Sequence, residues 1–176
     1  DGNYINIDEK LLNKGGWDSD VILNDKIMIR QTGDRIYASL DTQKYYHLNN
    51  IHSFNLKNSI LDTRYILAIL NSNILSSYYL LTTLEKHRAM AQTDIETLEK
   101  LPIKESSKLE QQPFIKLVDK IISLNIQLQE IGDIQTSHRQ ELEVEKDKTN
   151  TQIDDLVYKL YGITEEEKKV IEESLK

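Results

Sequence analysis

The stretch of residues 61–84, LDTRYILAILNSNILSSYYLLTTL, constrains the fold more than any other part of this 176-residue chain. Its apolar residues recur at three- and four-residue intervals from Ile66 to Leu81, a spacing that predicts helix. They cover too wide an arc for a single stripe, so we expect a helix that is buried on most sides. Asp62 or Thr63 can cap its start, because a side-chain oxygen accepts an otherwise unpaired backbone N–H.

The middle of this stretch, Asn71-Ser72-Asn73, interrupts the helical pattern. Asn and Ser side chains compete for nearby backbone groups and are therefore poor residues for a helix interior. We predict that one helix ends near Asn71 and that Ser72 or Asn73 caps a second. On burial alone, the whole stretch is best interpreted as a kinked core helix with no function of its own.

Residues 21–57 favour a small antiparallel sheet. Residues 26–30 alternate in polarity as a strand does, residues 35–40 match them as a partner, and Gly33 suits positive φ in a short hairpin loop between the two. Residues 45–48 and 51–56 predict a second hairpin, because the Asn49-Asn50 pair between them tolerates left-handed backbone.

Residues 94–104 fit a short strand or a helical turn that ends at Pro102. After this segment, the rest of the chain is predicted to be mainly helical. The boundaries that we expect are a linker at 106–113, helices at 114–132 and 137–161, and a last helix capped by Thr164. The two long helices have apolar faces that predict an antiparallel pair.

These patterns together predict an α+β fold, with a small antiparallel sheet and a buried helix pair, followed by an antiparallel helical hairpin and a capping helix. We expect a polar N-terminal linker at 1–20, a globular part at 21–104, and the helical hairpin with the C-terminal helix at 105–176. A chain of this length is large enough for one sizeable domain or for a domain with an appendage.

Composition excludes several classes of protein. The absence of cysteine excludes disulfides and thiolate metal sites, and is typical of a cytoplasmic protein. The sequence contains no run of eighteen or more apolar residues, so no membrane span is predicted. The first ten residues, DGNYINIDEK, lack the basic and apolar regions of a signal peptide, and the missing initiator Met suggests a piece of a longer protein.

No catalytic motif is recognisable in the sequence. Gly15-Gly16 and Gly33 lack the helix or Lys-Ser/Thr that follows a phosphate-binding loop, and the two prolines are too isolated for an Asn-Pro-Pro-Tyr methyltransferase signature. No metal site is predicted either, since the spacing of His47 and His52 would place them on opposite faces of a straight strand. We therefore expect this segment to be non-catalytic and to hold no cofactor.

Net charge is −7, which by itself disfavours binding to nucleic acid, but the charge is unevenly distributed. Residues 105–176 hold 10 basic against 16 acidic residues, whereas residues 26–64 hold 6 against 3. A local basic region matters more for DNA than the total charge of a chain. The predicted sheet is thus the segment best suited to a DNA surface.

Four segments resemble, in their order, the TaqI-like C-terminal specificity domain. They are KIMIRQTGD, RYILAILNSNILSSYY, DIETLEKLPI and IDDLVYKLYGITEEE, which together reach across most of the chain. The resemblance implies a target-recognition domain of a type IIG restriction-modification enzyme, which joins an adenine-N6 DNA methyltransferase to an endonuclease. It implies double-stranded DNA and those two domains as partners, S-adenosylmethionine and Mg²⁺ as cofactors of the parent protein only, and a bacterial or archaeal cytoplasm.

Recognition of DNA needs cations for phosphates, and Arg, Asn or Gln for base edges. Polar loops are common in any protein, and only the resemblance makes DNA the favoured interpretation. A helical module that binds a partner protein through Ile121, Leu128 and Leu156 is the alternative. The candidate DNA-contacting residues are Arg30, Gln31, Thr32, Arg35, Tyr37, Lys44, Tyr45, Tyr46, His47, Asn49, Asn50, Lys86, His87 and Arg88.

Overall fold

A computed structural model describes residues 19–33, 35–56, 60–82, 93 and 95–175. This part of the chain contains three strands and seven helices, which confirms the predicted α+β class. In order they are α1 (Ser19–Ile22), β1 (Lys26–Arg30), β2 (Ala38–Asp41), β3 (Ile51–Phe54), α2 (Thr63–Leu70), α3 (Asn73–Thr82), α4 (Ile95–Glu99), α5 (Lys108–Ile131), α6 (Ser137–Tyr161) and α7 (Glu165–Ser174). None of these described helices has both the length and the apolar character needed to cross a bilayer.

The three strands form one antiparallel sheet in the order β2-β1-β3. Side chains alternate between the two faces of a strand, so the central strand β1 defines both faces. Ile27 and Ile29 point into the core with no exposed surface, and we call this side the inner face. Met28 and Arg30 point the other way, and in the register of the sheet Met28 pairs with Ser39 and Ser53. We call this side the outer face.

The first predicted hairpin forms, since β1 pairs with β2, but β2 begins at Ala38 rather than at residue 35. Gly33 does not have positive φ. Its small size matters instead, because a Cβ atom there would lie 3.2 Å from the Arg35 carbonyl oxygen, 3.0 Å from Arg30 Nη2 and 3.2 Å from Tyr37 Cδ2.

The second predicted hairpin is wrong. Residues 45–48 form no strand, and β3 pairs with β1 instead. Because β2 and β3 are both antiparallel to β1, the chain between them must cross the sheet. Residues 42–50, which we call the crossover loop, pass over the outer face, where His47 Nε2 lies 2.8 Å from Ser53 Oγ.

The helix pair behind the sheet confirms the predicted break. Asp62 caps α2 by accepting from the Arg64 amide at 2.8 Å. Ser72 Oγ accepts from the Leu75 amide at 3.3 Å, as a cap of α3 does. Tyr65 and Ile69 of α2 are completely buried in the same core as the inner face of the sheet.

The C-terminal helices agree with prediction in α6 and α7, whereas α5 begins earlier than expected. Ser107 and Glu110 form a capping box that starts α5 at Lys108, so the predicted linker at 106–113 is largely helical. Pro113 lies in the second turn of α5, where a proline removes one helical hydrogen bond and crowds the carbonyl four residues earlier. Residues 95–99 form a short helix, α4, not a strand.

One hydrophobic core joins the sheet, the helix pair and the long helices. The rings of Tyr65 in α2 and Phe114 in α5 meet edge to face, with centroids 5.2 Å apart. Val118, Ile153 and Val157 belong to the same core. The division of the chain into a globular part and a helical part at 104/105 stays a prediction, although side chains from both sides of it are packed together.

Candidate nucleic-acid interface

The outer face of the sheet carries a shallow groove of about 310 Å³. Its walls come from the middle and the end of β1, from the start of β2 with the residue before it, and from the junction of the crossover loop with β3. The lining residues are Met28, Arg30, Tyr37, Ala38, Ser39, Asn50 and Ile51. The groove thus combines apolar walls with one cation, two hydroxyls and one amide.

Arg30 is the cation of this groove, and its side chain is held on two sides. Its Nε donates to the Thr32 carbonyl at 2.6 Å. Its guanidinium carbon lies 4.3 Å from the centroid of the Tyr37 ring, a cation–π contact. Both residues remain exposed at the surface. The fold therefore places an arginine over an aromatic ring at the end of the central strand, in an orientation fixed by its neighbours.

The crossover loop is anchored at its start by a buried carboxylate. Asp41 lies 2.5 Å from Lys26 Nζ, and it also accepts from the Gln43 and Tyr45 amides at 2.8 Å each. Burial alone would raise the pKa of Asp41, but the hydrogen bonds from Lys26 and the two amides outweigh it and hold the pKa below its usual range. The carboxylate is therefore ionised at neutral pH and fixes the backbone on both sides of Lys44.

The rest of the crossover loop presents large side chains to solvent. Lys44 is exposed and adopts a φ of 60°, a conformation that L residues seldom take. Tyr45 is 62% and Tyr46 is 45% exposed, which is unusual for residues of their size. His47 bonds to Ser53, and the Asn50 carbonyl accepts from the Gln31 amide at 2.9 Å. The loop is thus tied to the sheet at both ends and holds its aromatic residues outward.

Several of the predicted site residues lie together on this surface. The described residues that line the groove or belong to the crossover loop are Arg30, Tyr37, Lys44, Tyr45, Tyr46, His47, Asn49 and Asn50. Gln31 and Thr32 follow β1 and contribute backbone groups to the bonds already described. Lys86, His87 and Arg88 lie outside the described residues.

Arg35 is the predicted residue that the structure directs elsewhere. Its Nη2 donates to the Leu175 carbonyl at 3.3 Å, at the C-terminal end of α7. His52 also differs from its neighbours, since its Nε2 donates to the Thr93 carbonyl at 2.7 Å and it shares the inner face with Ile29. Arg35 therefore contacts the end of α7 and does not line the groove.

The outer face is poor in negative charge. Among described residues 27–33 and 35–56 the only carboxylate is Asp41, which is buried and paired. No group of three His, Asp or Glu side chains in the described part of the chain is arranged to hold a metal ion. The surface offers donors, amides and aromatic rings to a ligand, which is the set that binds nucleic acid.

Sequence reasoning missed the residues that shape this surface without being charged. Met28, Ser39 and Ile51 line the groove, and their alternation with buried positions in the strands was the available signal. Asp41 was missed as an anchor, although an Asp often bonds the amide two residues later. The stacking of Arg30 on Tyr37 depends on the hairpin geometry, which no spacing in the sequence specifies.

The sequence model of the TaqI-like C-terminal specificity domain matches residues 1–103. No curated protein matches the chain. The family match spans the sheet, the crossover loop and α2 to α4. Membership of this family suggests a role in DNA target recognition in restriction-modification enzymes. Since 103 of the 176 residues are matched, the chain belongs to the family of TaqI-like C-terminal specificity domains.

Proposed function

We propose that the outer face and the crossover loop contact duplex DNA and select the sequence on which the parent protein acts. One observation carries this proposal: exposed Arg, Lys, Asn and Tyr side chains are concentrated on a single face of the sheet. Among the described residues between positions 27 and 56, that face has no exposed carboxylate. Positive charge and hydrogen-bonding groups on a common face are what phosphate and base contacts require.

The division of roles within the surface follows from its chemistry. Lys44 on the crossover loop suits a phosphate, because a lysine is a flexible point charge. The groove beside Arg30 and Asn50 suits a base edge, since it joins hydrogen-bonding groups to apolar walls. Tyr45 and Tyr46 offer further contacts to sugar or base.

The parent protein, in this proposal, is a type IIG restriction-modification enzyme. Its other domains methylate the N6 of an adenine and cleave the DNA, and they use S-adenosylmethionine and Mg²⁺. The segment described here is non-catalytic and positions the duplex, while the methyltransferase extracts its target base from the helix. The helical hairpin serves as spacer and dock, and the protein acts in a bacterial or archaeal cytoplasm. Family membership supports this assignment.

The alternative, a helical module that binds another protein, has less support. It requires Ile121, Leu128 and Leu156 to be available to a partner. Leu128 is only 8% exposed, and the other two side chains pack against the main hydrophobic core. Apolar side chains that are used inside the chain leave little surface for a second helix.

The proposal is tested with Lys44→Ala in the parent protein. Because Lys44 would neutralise one phosphate, the variant should bind every duplex more weakly and lower the slope of log K against log salt by roughly one unit. Lys116→Ala is the matched control, since Lys116 is an exposed lysine on α5, away from the sheet. Binding is measured by fluorescence anisotropy over a series of salt concentrations.

Two results would count against the outer face as the DNA surface. One is an unchanged salt slope for Lys44→Ala. The other is an equal loss of slope for Lys116→Ala, which would place the phosphate contacts on the helical hairpin instead.

A further inference from the structure

The side chain of Arg30 is more constrained than an exposed arginine needs to be. Its Nε donates to the Thr32 carbonyl, its guanidinium carbon lies over the Tyr37 ring, and the loop at Gly33 closes against both groups. A Cβ atom at position 33 would approach Arg30 Nη2 to 3.0 Å, so the pair is packed against backbone. An arginine that only covers apolar surface with its stem would not require a fixed guanidinium.

The constraint leaves a particular edge of the guanidinium available. Nε is already bonded, whereas Nη1 and Nη2 have no acceptor among the described residues. These two terminal nitrogens carry parallel N–H donors in a planar fork. Such a fork matches two acceptors that lie side by side in one plane.

Guanine is the base that offers two acceptors side by side in the major groove, at O6 and N7. Adenine presents an acceptor and a donor there, cytosine presents a donor, and thymine presents one acceptor and a methyl group. A phosphate also has adjacent acceptors. The apolar walls that Met28 and Ile51 give the groove, however, suit the edge of a base better than a strongly hydrated anion.

We infer that Arg30 recognises a guanine in the major groove of the target site, with Tyr37 as the residue that positions its guanidinium. This inference rests on the proposed function, because it assigns a base to the groove of the same DNA-contacting face. It predicts that the target sequence contains a G·C pair whose recognition depends on one side chain.

The inference is tested by selecting bound duplexes from a randomised library with the parent protein and sequencing them. The wild-type motif should contain a guanine that Arg30→Ala no longer requires, with discrimination at that base pair reduced by about 5- to 150-fold and the other positions unchanged. Arg30→Gln, which keeps a polar side chain at this exposed position, should lose the same preference and favour adenine. Lys44→Ala should keep the wild-type motif.

Tyr37 has its own prediction in the same selection. Tyr37→Leu removes the ring that supports Arg30 and should relax the choice at the same base pair, while Tyr37→Phe keeps the ring and should preserve it. A purely structural role of Tyr37 would weaken binding to every sequence in both variants. That result would show that Tyr37 does not position Arg30.

Three results would overturn the guanine assignment while leaving the DNA surface intact. The first is a wild-type motif without a G·C pair. The second is an equal loss of affinity for every sequence in Arg30→Ala, which indicates a phosphate contact. The third is an Arg30→Ala motif identical to that of the wild type. A parent protein that selects no motif at all would contradict the proposed function itself.

Discussion

At the scale of single residues, the ion pair of Lys26 and Asp41 determines how the crossover loop is held. Both side chains are almost completely buried, and Lys26 Nζ also donates to the Ile22 carbonyl at 3.2 Å. Neither residue was a candidate for the site. They act through the backbone that they fix, because Asp41 holds the amides on either side of Lys44.

Asp41→Asn should lower the free energy of unfolding by about 3–5 kcal/mol, because it leaves the Lys26 ammonium buried without its counter-charge. Asp119→Asn is the matched control. Asp119 pairs with Arg64, but its side chain is 52% exposed, so its loss should cost less than about 1 kcal/mol. Urea denaturation at pH 7 measures both values, and equal effects would contradict the importance of the buried pair.

The same pair predicts a dependence on pH. Since the pKa of Asp41 is lower in the folded chain than in the unfolded chain, its contribution to stability is complete above the unfolded pKa of about 3.9. The contribution is lost as the pH falls through the folded pKa. The difference in the free energy of unfolding between the wild type and Asp41→Asn should therefore become smaller below about pH 4.

At the scale of elements, α2 supports the sheet from behind, and the break between α2 and α3 covers one edge of the sheet. Asn71, at the break between the helices, accepts from the Ala38 amide at 2.9 Å and donates to the Ala38 carbonyl at 3.0 Å. The side-chain amide of Asn71 thus bonds the backbone of β2 at the point where a neighbouring strand would do so. Leu70, one residue earlier, is 3% exposed in the core.

Leu70→Ala should lower the free energy of unfolding by about 2–5 kcal/mol, because the lost side chain leaves a cavity. Asn71→Ala should cost only about 1 kcal/mol, since its bonds to Ala38 are near the surface, where water can replace them. Thermal melts of the two adjacent variants make the comparison. A harmless Leu70→Ala would show that this helix pair is not the centre of the core.

The elements that were predictable from sequence are those fixed by local signals. The break at Asn71-Ser72-Asn73 and the cap of α7 at Thr164 follow from residues that bond to nearby backbone. Residues 45–48 were predicted to be a strand because the Asn49-Asn50 pair after them favours a hairpin turn. The Tyr45 amide bonds to Asp41 instead of to a strand, and that choice depends on the burial of Lys26, which the sequence does not reveal.

The site shows the same limit. Residue type identified Arg30 and Tyr37 as candidates, but their stacking, and the contact of Arg35 with Leu175, depend on how distant elements meet. Gly33 was expected to serve a turn, whereas it provides room for the stacked pair. Which residue types could contact a ligand was predictable, but which of them share a face was not.

At the scale of the whole molecule, charge separates the outer face of the sheet from the helical hairpin. Residues 105–176 hold 16 acidic against 10 basic residues, while the described outer face has no exposed carboxylate between positions 27 and 56. A duplex should therefore be attracted to the sheet and repelled by the helices. We therefore expect the outer face, and not the helical hairpin, to contact DNA.

Cross-linking from single cysteines tests that claim most directly, because the chain has no cysteine of its own. Ser39→Cys lies in the groove, and Ser123→Cys is an exposed control on α5. Each variant carries a thiol-attached photo-crosslinker and is irradiated with duplex DNA at low salt, where phosphate contacts are strongest. We predict a cross-link from position 39 and none from position 123; no cross-link from position 39, or equal yields from both positions, would contradict the account.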